Sequence, residues 1–192
     1  MAAEFADAQA DGDSMTDAAD VVAFWREAGP QAWFAKDDAF DDRFRAAFMQ
    51  AHEAAVRGEL ADWEETPEGA LALILLLDQF PRNCFRGSAR MFASDMLAVA
   101  AADRAVARGD DLAIPETLRA FVYLPYEHAE DPALQQRCVE LNRPLGGEWL
   151  RFAELHRDII ARFGRFPHRN TVLGRVSTPE EIAFLQTGGF AG

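Results

Sequence analysis

The chain reads as a series of amphipathic helices separated by abrupt stops. Thr16 can cap a first helix that carries Val21, Val22, Phe24 and Trp25, and Gly29-Pro30 is its expected stop. Asp37 or Asp38 opens a second. There Phe40, Phe44 and Phe48 recur every four residues as one apolar stripe. Asp41 and Arg45 fall on its polar side, four residues apart, and Gly58 ends it. Thr66-Pro67 opens a third, with proline at the first helical position, where its missing N–H costs nothing. Leu71 and Leu73 to Leu77 cover the whole circumference of this helix, the pattern of an element at the centre of a core. Pro81 disfavours helical geometry at Phe80, so the stop is expected near Gln79.

Further helices are expected from Ser88 to Arg108, from Pro115 to Leu124-Pro125, from Asp131-Pro132 to Arg143-Pro144, and from Glu148 to Phe163. The last begins with a capping box, Thr178-Pro179-Glu180-Glu181, and closes at Gly188-Gly189. No segment sustains a period-two alternation. The expected fold is all-α, with about eight helices, mostly antiparallel neighbours because the connections are short. They form a single domain over residues 16–192. Residues 1–15 lack the marks of a secretory signal and read as a short disordered acidic tail.

Composition narrows the partners. The chain has 192 residues and a formal net charge of -13, which argues against a nucleic-acid binder, because phosphate contacts need basic surface. The longest strongly apolar run, Ala70 to Leu77, is too short to span a bilayer. Two cysteines, Cys84 and Cys138, offer no disulfide framework, and with no signal the expected compartment is the cytoplasm. The acidity sits in residues 1–75, which hold 17 acidic and 5 basic side chains. His156 to Arg175 instead holds five arginines, two histidines and one acid, Asp158. Guanidinium groups match carboxylate and phosphate in fork geometry, so this stretch is a candidate anion site.

The breaks between helices carry the chemistry. Leu77 to Gly87 (LDQFPRNCFRG) and Arg162 to Asn170 (RFGRFPHRN) each place Phe-Pro, then Arg and Asn, just after a buried helix. Asp78 opposes the helix dipole and follows an apolar run, so it needs a partner: Arg82, Arg86, Arg165 or a histidine. A buried structural ion pair and a ligand-binding or catalytic acid both fit that position. Tyr123 to Glu130 is a third polar segment, in which His128 beside Glu127 and Glu130 serves as a base, a metal ligand or a structural donor. His156 shares an apolar helix face with Trp149, Phe152, Ile159, Ile160 and Phe163. His52 reads as a surface or boundary residue. No phosphate loop, nucleophile elbow or His-Glu-x-x-His pair occurs, and no metal or cofactor is expected.

Four stretches, VVAFWREAGPQAWFAKDDAFDDRFRAAF, LALILLLDQFPRNCFRG, YLPYEHAED and HRDIIARFGRFPHRNTVLGRVSTPEEIAFLQTGGF, resemble domain-of-unknown-function family 924 of bacteria and some plants. The resemblance spans residues 20–192. It implies an all-helical fold similar to tetratricopeptide-type helix pairs, and no activity. Its motif residues include Asp78, Gln79, Arg82, Asn83, His128, His156, Arg165, His168, Arg169 and Asn170.

Three functions stay open. One is binding of a small anionic phosphate or carboxylate ligand at Asp78, Gln79, Arg82, Asn83, His128, Arg165, His168, Arg169 and Asn170. Another is a tetratricopeptide-like scaffold for a peptide or partner protein. The third is a hydrolase or transferase using Asp78, His128 or His156. The concentration of Arg, His and Asn in two loops favours the first.

Overall fold

Helices and turns make up residues 16–190, the residues described by the computed structural model, with no strand among them. The expected acidic tail over residues 1–15 lies outside the described residues. The helices are α1 (Ala18–Trp33), α2 (Asp38–Val56), α3 (Pro67–Ile74), α4 (Phe80–Cys84), α5 (Asp95–Arg108), α6 (Asp110–Ala113), α7 (Glu116–His128), α8 (Pro132–Asn142), α9 (Gly147–Phe163) and α10 (Pro179–Gln186). All eight expected helices are present as a helical bundle; α4 and α6 are short additions.

The all-round apolar helix is central. Every residue of α3 from Gly69 to Ile74 is buried, and it packs against α1, α5 and α7. The α2 stripe meets α1 through aromatic contacts. Phe24 stacks on Phe44 at 5.2 Å, and Trp25 stands edge-on to Phe121 of α7 at 5.3 Å. Each such ring contributes about 1.5–3 kcal/mol by burial. A smaller apolar cluster forms at the C-terminal end, where Ile159, Ile160 and Phe166 pack with Phe163, Phe184 and Phe190.

Several boundaries differ from the sequence expectation, each for a local reason. Asp17, not Thr16, caps α1, in a reciprocal capping box with Asp20. Gly29, at φ 74°, breaks the helical backbone as expected, and Pro30 opens one further turn that runs to Trp33, so α1 is two helical pieces across a kink. Asp41 turns inward, bonded to Asn83 and Arg86, while Arg45 pairs with Asp42. The helix expected from Ser88 begins at Asp95, after a 3-10 turn at Ala89–Phe92.

The largest correction concerns Pro81. The chain stays helical through it, because residues Leu75–Gln79 form a π turn joining α3 to α4. The Phe80 N–H reaches back to the Leu75 carbonyl, and Pro81 has no N–H to give. The carbonyls of residues 76 to 78 are met by side chains instead. His52 Nδ1 bonds the Leu76 oxygen at 2.9 Å, Ser94 Oγ the Leu77 oxygen at 2.6 Å, and Arg82 Nη1 the Asp78 oxygen at 2.8 Å. His52 is therefore a buried structural donor, not a surface residue.

α7 likewise continues past Pro125 to His128. Gln135 of α8 supports its C-terminal end, donating from Nε2 towards the carbonyls of Tyr126, Glu127 and Ala129. The third polar segment, expected to leave the helix at Pro125, thus stays helical to His128. Its two tyrosines point elsewhere: Tyr123 donates to Asp111 and Tyr126 to Asp103.

Candidate functional site

Asp78 is the centre from which the site is built. It lies on the π turn and is fully buried. The widened turn brings its carboxylate among three partners: His128 Nδ1 at 2.8 Å, Arg82 Nη1 at 3.0 Å and Gln79 Nε2 at 2.7 Å. π turns of this kind recur at functional sites, because the bulge re-aims side chains. The sequence expectation that Asp78 is buried and tied to another segment holds in the structure. Burial raises its pKa, but Arg82 first and then His128 more than reverse this and hold it at about 2.

That charge fixes the His128 tautomer. The ring is neutral at pH 7, its pKa lowered to about 4 by burial and by Arg82, against the pull of Asp78. Nδ1–H donates to the ionised Asp78, which leaves Nε2 as a bare acceptor. Nε2 makes no hydrogen bond among the described residues.

A second layer closes around this pair. Asp95, at the start of α5, lies 3.0 Å from Arg82 Nη1 and 3.4 Å from Arg169 Nη1. Arg169 is buried, sandwiched between Phe92 and Phe166 at 4.6 and 4.4 Å from the ring centroids. Burial and Arg82 lower its pKa to about 10, so it stays charged at neutral pH. His168 lies beside it, brought to about 4 by burial and by Arg169, and hence neutral. His156, on α9, donates from Nδ1 to the Phe152 carbonyl at 2.8 Å and lies 3.4 Å from Glu127. Burial and the Asp78 charge raise Glu127 to about 8, so it is protonated at pH 7. Phe190 packs edge-on over both rings, 4.6 Å from His156 and 5.4 Å from His168.

Some buried polar atoms here have no partner. Arg82 Nη2, Asp95 Oδ1, His168 Nδ1 and Arg169 Nε are four of the nine such atoms found among the described residues. Asp95 Oδ1 is close to Arg82 Nη1, but not in hydrogen-bond alignment. The cluster sits where the main core meets the C-terminal apolar cluster.

Not every expected site residue joins it. Asp78, Gln79, Arg82, His128, His156, His168 and Arg169 converge. Arg165 does not: its Nε and Nη2 grip Glu181 at 2.6 and 2.9 Å. Asn170 bonds that same carboxylate and Ser177, so both residues tie the second Phe-Pro loop to α10. Asn83 is committed to Asp41 on the other side of α4. Arg86 also goes to Asp41, not to Asp78. Arg175 pairs with Glu130, whose Oε1 also accepts from the Phe166 N–H. Asp95 is the residue that sequence reasoning misses, because the pattern places it inside the helix expected from Ser88. Ser94 just before it, a cap-type residue, was the available signal.

Among the described residues no three His, Cys, Asp or Glu converge as metal ligands would. No helix of the described residues is long and apolar enough to cross a membrane. Two surface clefts lie away from the cluster. One, of about 460 Å³, is lined by Val22, Arg26, Leu71 and Leu118; the other, of about 430 Å³, by Lys36, Asp41, Arg45 and Arg86.

The family model described as "Bacterial protein of unknown function (DUF924)" matches residues 21–189. A solved structure of a protein of unknown function from Agrobacterium tumefaciens is 60% identical, with a TM-score of 0.88. The match covers 89% of this chain and 97% of that one. No curated protein matches.

Proposed function

The chain belongs to the DUF924 family, and we propose that it binds a small anionic phosphate or carboxylate compound at the buried cluster of Arg82, His168 and Arg169. One observation carries the reading. Arg82 Nη2 and Arg169 Nε are buried guanidinium donors with no acceptor, in a single cluster with two further unpartnered polar atoms. Such a donor costs about 1–3 kcal/mol when left unpaired, and more when charged. The other five such atoms among the described residues are single ones on Trp25, Gln135, Asn142, Asn170 and Arg175, so the concentration of four here fits a place kept for a ligand's oxygens. The charges of Asp78 and Asp95 balance those of Arg82 and Arg169, which allows two buried guanidinium groups to stand without a ligand. Arg165, Asn170 and Asn83 leave the ligand set, since each is held by an internal carboxylate and, unlike Arg82 and Arg169, keeps no unpartnered buried donor. The two free, buried thiols suit a reducing compartment, the cytoplasm.

A ligand that binds only the native state raises its melting temperature, by the equivalent of about 2.7 kcal/mol at a hundred times Kd. The test is a thermal-shift panel of phosphate and carboxylate metabolites on the wild type, Arg169→Gln and Arg165→Gln. Members of the panel should stabilise the wild type and Arg165→Gln but not Arg169→Gln. No response in the wild type, or the same response in both variants, would overturn the assignment.

A second reading is favoured by the Asp78–His128 pair. An imidazole held by a carboxylate, with its other nitrogen bare, is the geometry of a general base. The bound anion would then be the substrate of a hydrolase or transferase.

A further inference from the structure

The cluster offers more than donors. Arg82, whose Nη2 is an unpartnered donor like Arg169 Nε, shares Asp78 Oδ1 with His128. Two acceptors stand near it: His128 Nε2, which makes no hydrogen bond among the described residues, and Asp95 Oδ1, 3.0 Å from Arg82 Nη1 but outside hydrogen-bond alignment. Asp95 carries a carboxylate, which only accepts. The His128 ring gives its Nδ1 proton to Asp78, so its other nitrogen also accepts. A plain oxyanion satisfies the arginines and leaves His128 Nε2, and Asp95 Oδ1 with only its poorly aligned Arg82 contact, facing its own lone pairs.

We propose that the site selects an oxyanion bearing its own hydroxyl, with oxygens held by Arg82 and Arg169 and the hydroxyl donated to His128 Nε2 or Asp95 Oδ1. This rests on the anion-binding reading above and sharpens it into a ligand class: a hydrogen phosphate group, or a carboxylate with an adjacent hydroxyl. Both present the same pattern, a charged acceptor next to a donor. A site built to accept a ligand's proton rejects the analogue that lacks it, because the bound analogue shuts water away from the acceptor and leaves it unpaired. No bond is made or broken in this step; a proton is shared within one hydrogen bond.

His128 and its charged surroundings set the pH behaviour. The groups facing it are Asp78, Arg82, Asp95 and His168. A hydroxyl-free anion binds well only once His128 has taken up a proton and become a donor at Nε2. Its affinity should therefore rise as the pH falls, while a hydroxyl-bearing anion arrives with its proton.

Isothermal titration of the full chain at pH 7.5 with two matched pairs tests this: inorganic phosphate against sulfate, and glycolate against acetate. Sulfate and acetate carry no proton at this pH. The hydroxyl-bearing member of at least one pair should bind roughly tenfold tighter or better, with the gap narrowing by pH 5.5. Asp95→Asn, which replaces an acceptor oxygen with a donor, should pull that ratio towards one; the wild-type ratio stands as a test without the variant. Equal or tighter binding of sulfate and acetate would overturn the proposal and leave anion binding intact. No binding of any of the four would count against the anion site itself.

Discussion

His128 Nδ1 and Asp78 Oδ1 meet at 2.8 Å, although fifty residues separate them in the chain. The contact joins the π turn after α3 to the last residue of α7. Each end exists because a proline sits within a helix rather than at its stop. Pro81 follows the bulge that turns Asp78, and Pro125 lies inside the helix that carries His128.

Removing the carboxylate should therefore cost stability. Asp78→Ala leaves Arg82 with Asp95 alone and strips His128 of its acceptor. Urea denaturation should register a loss of about 3–5 kcal/mol, the usual cost of breaking a buried ion pair by removing one partner. A change under about 1 kcal/mol would mean that the Asp78 network contributes little to the fold.

The histidines make stability depend on pH. His128, His156 and His168 are each lowered to about 4 in the folded protein, from 6.5. The unfolded chain takes up these protons first, so this stability is full above pH 6.5 and is lost as pH falls towards 4. Glu127, raised from 4.5 to about 8, works in the opposite sense. Its contribution is full below pH 4.5 and is lost as pH rises through 8. Between pH 4.5 and 6.5 these three histidines outweigh Glu127 by a net two protons, and His52, also lowered by burial, adds to the same side. Stability should therefore fall by about 3 kcal/mol per pH unit on acidification. Denaturation series from pH 7 to 4.5 would measure the slope, and a flat profile would contradict the buried neutral histidines.

How much of this was legible in the sequence depends on which periodicity a residue obeys. The Phe40, Phe44 and Phe48 stripe and the apolar run of α3 led directly to the core, because burial follows helical spacing. Asp78 announced itself as an acid at the end of that run. His52, Pro81 and Pro125 misled for one shared reason. Proline rules are local, whereas the groups that make an internal proline tolerable come from far away: His52 and Ser94 at the π turn, and Gln135 at the end of α7. Arg165 and Asn170 looked like ligand groups because an arginine's partner is invisible until the fold brings Glu181 beside it.

Arg165 and Arg169 should part company experimentally. Arg165→Ala leaves the buried Glu181 without its partner, so the melting temperature should drop while the anion-induced shift persists. Loss of the anion response in this variant would return Arg165 to the ligand set.

The thiols should be silent in the native protein. Cys138 is fully buried and its thiol is pushed up by burial and by Glu127, while burial brings Cys84 to about 12. Both should resist a disulfide reagent at pH 8 until denaturant is added, then react together. Rapid labelling of the folded chain would show that α8 or α4 opens readily.

The central claim is that Arg82, His168 and Arg169 hold an anion. Crystals grown with saturating phosphate test it most directly. The account predicts tetrahedral density within hydrogen-bond distance of Arg82 Nη2 and Arg169 Nε. Water molecules alone on those two atoms, with phosphate absent or bound elsewhere, would contradict it.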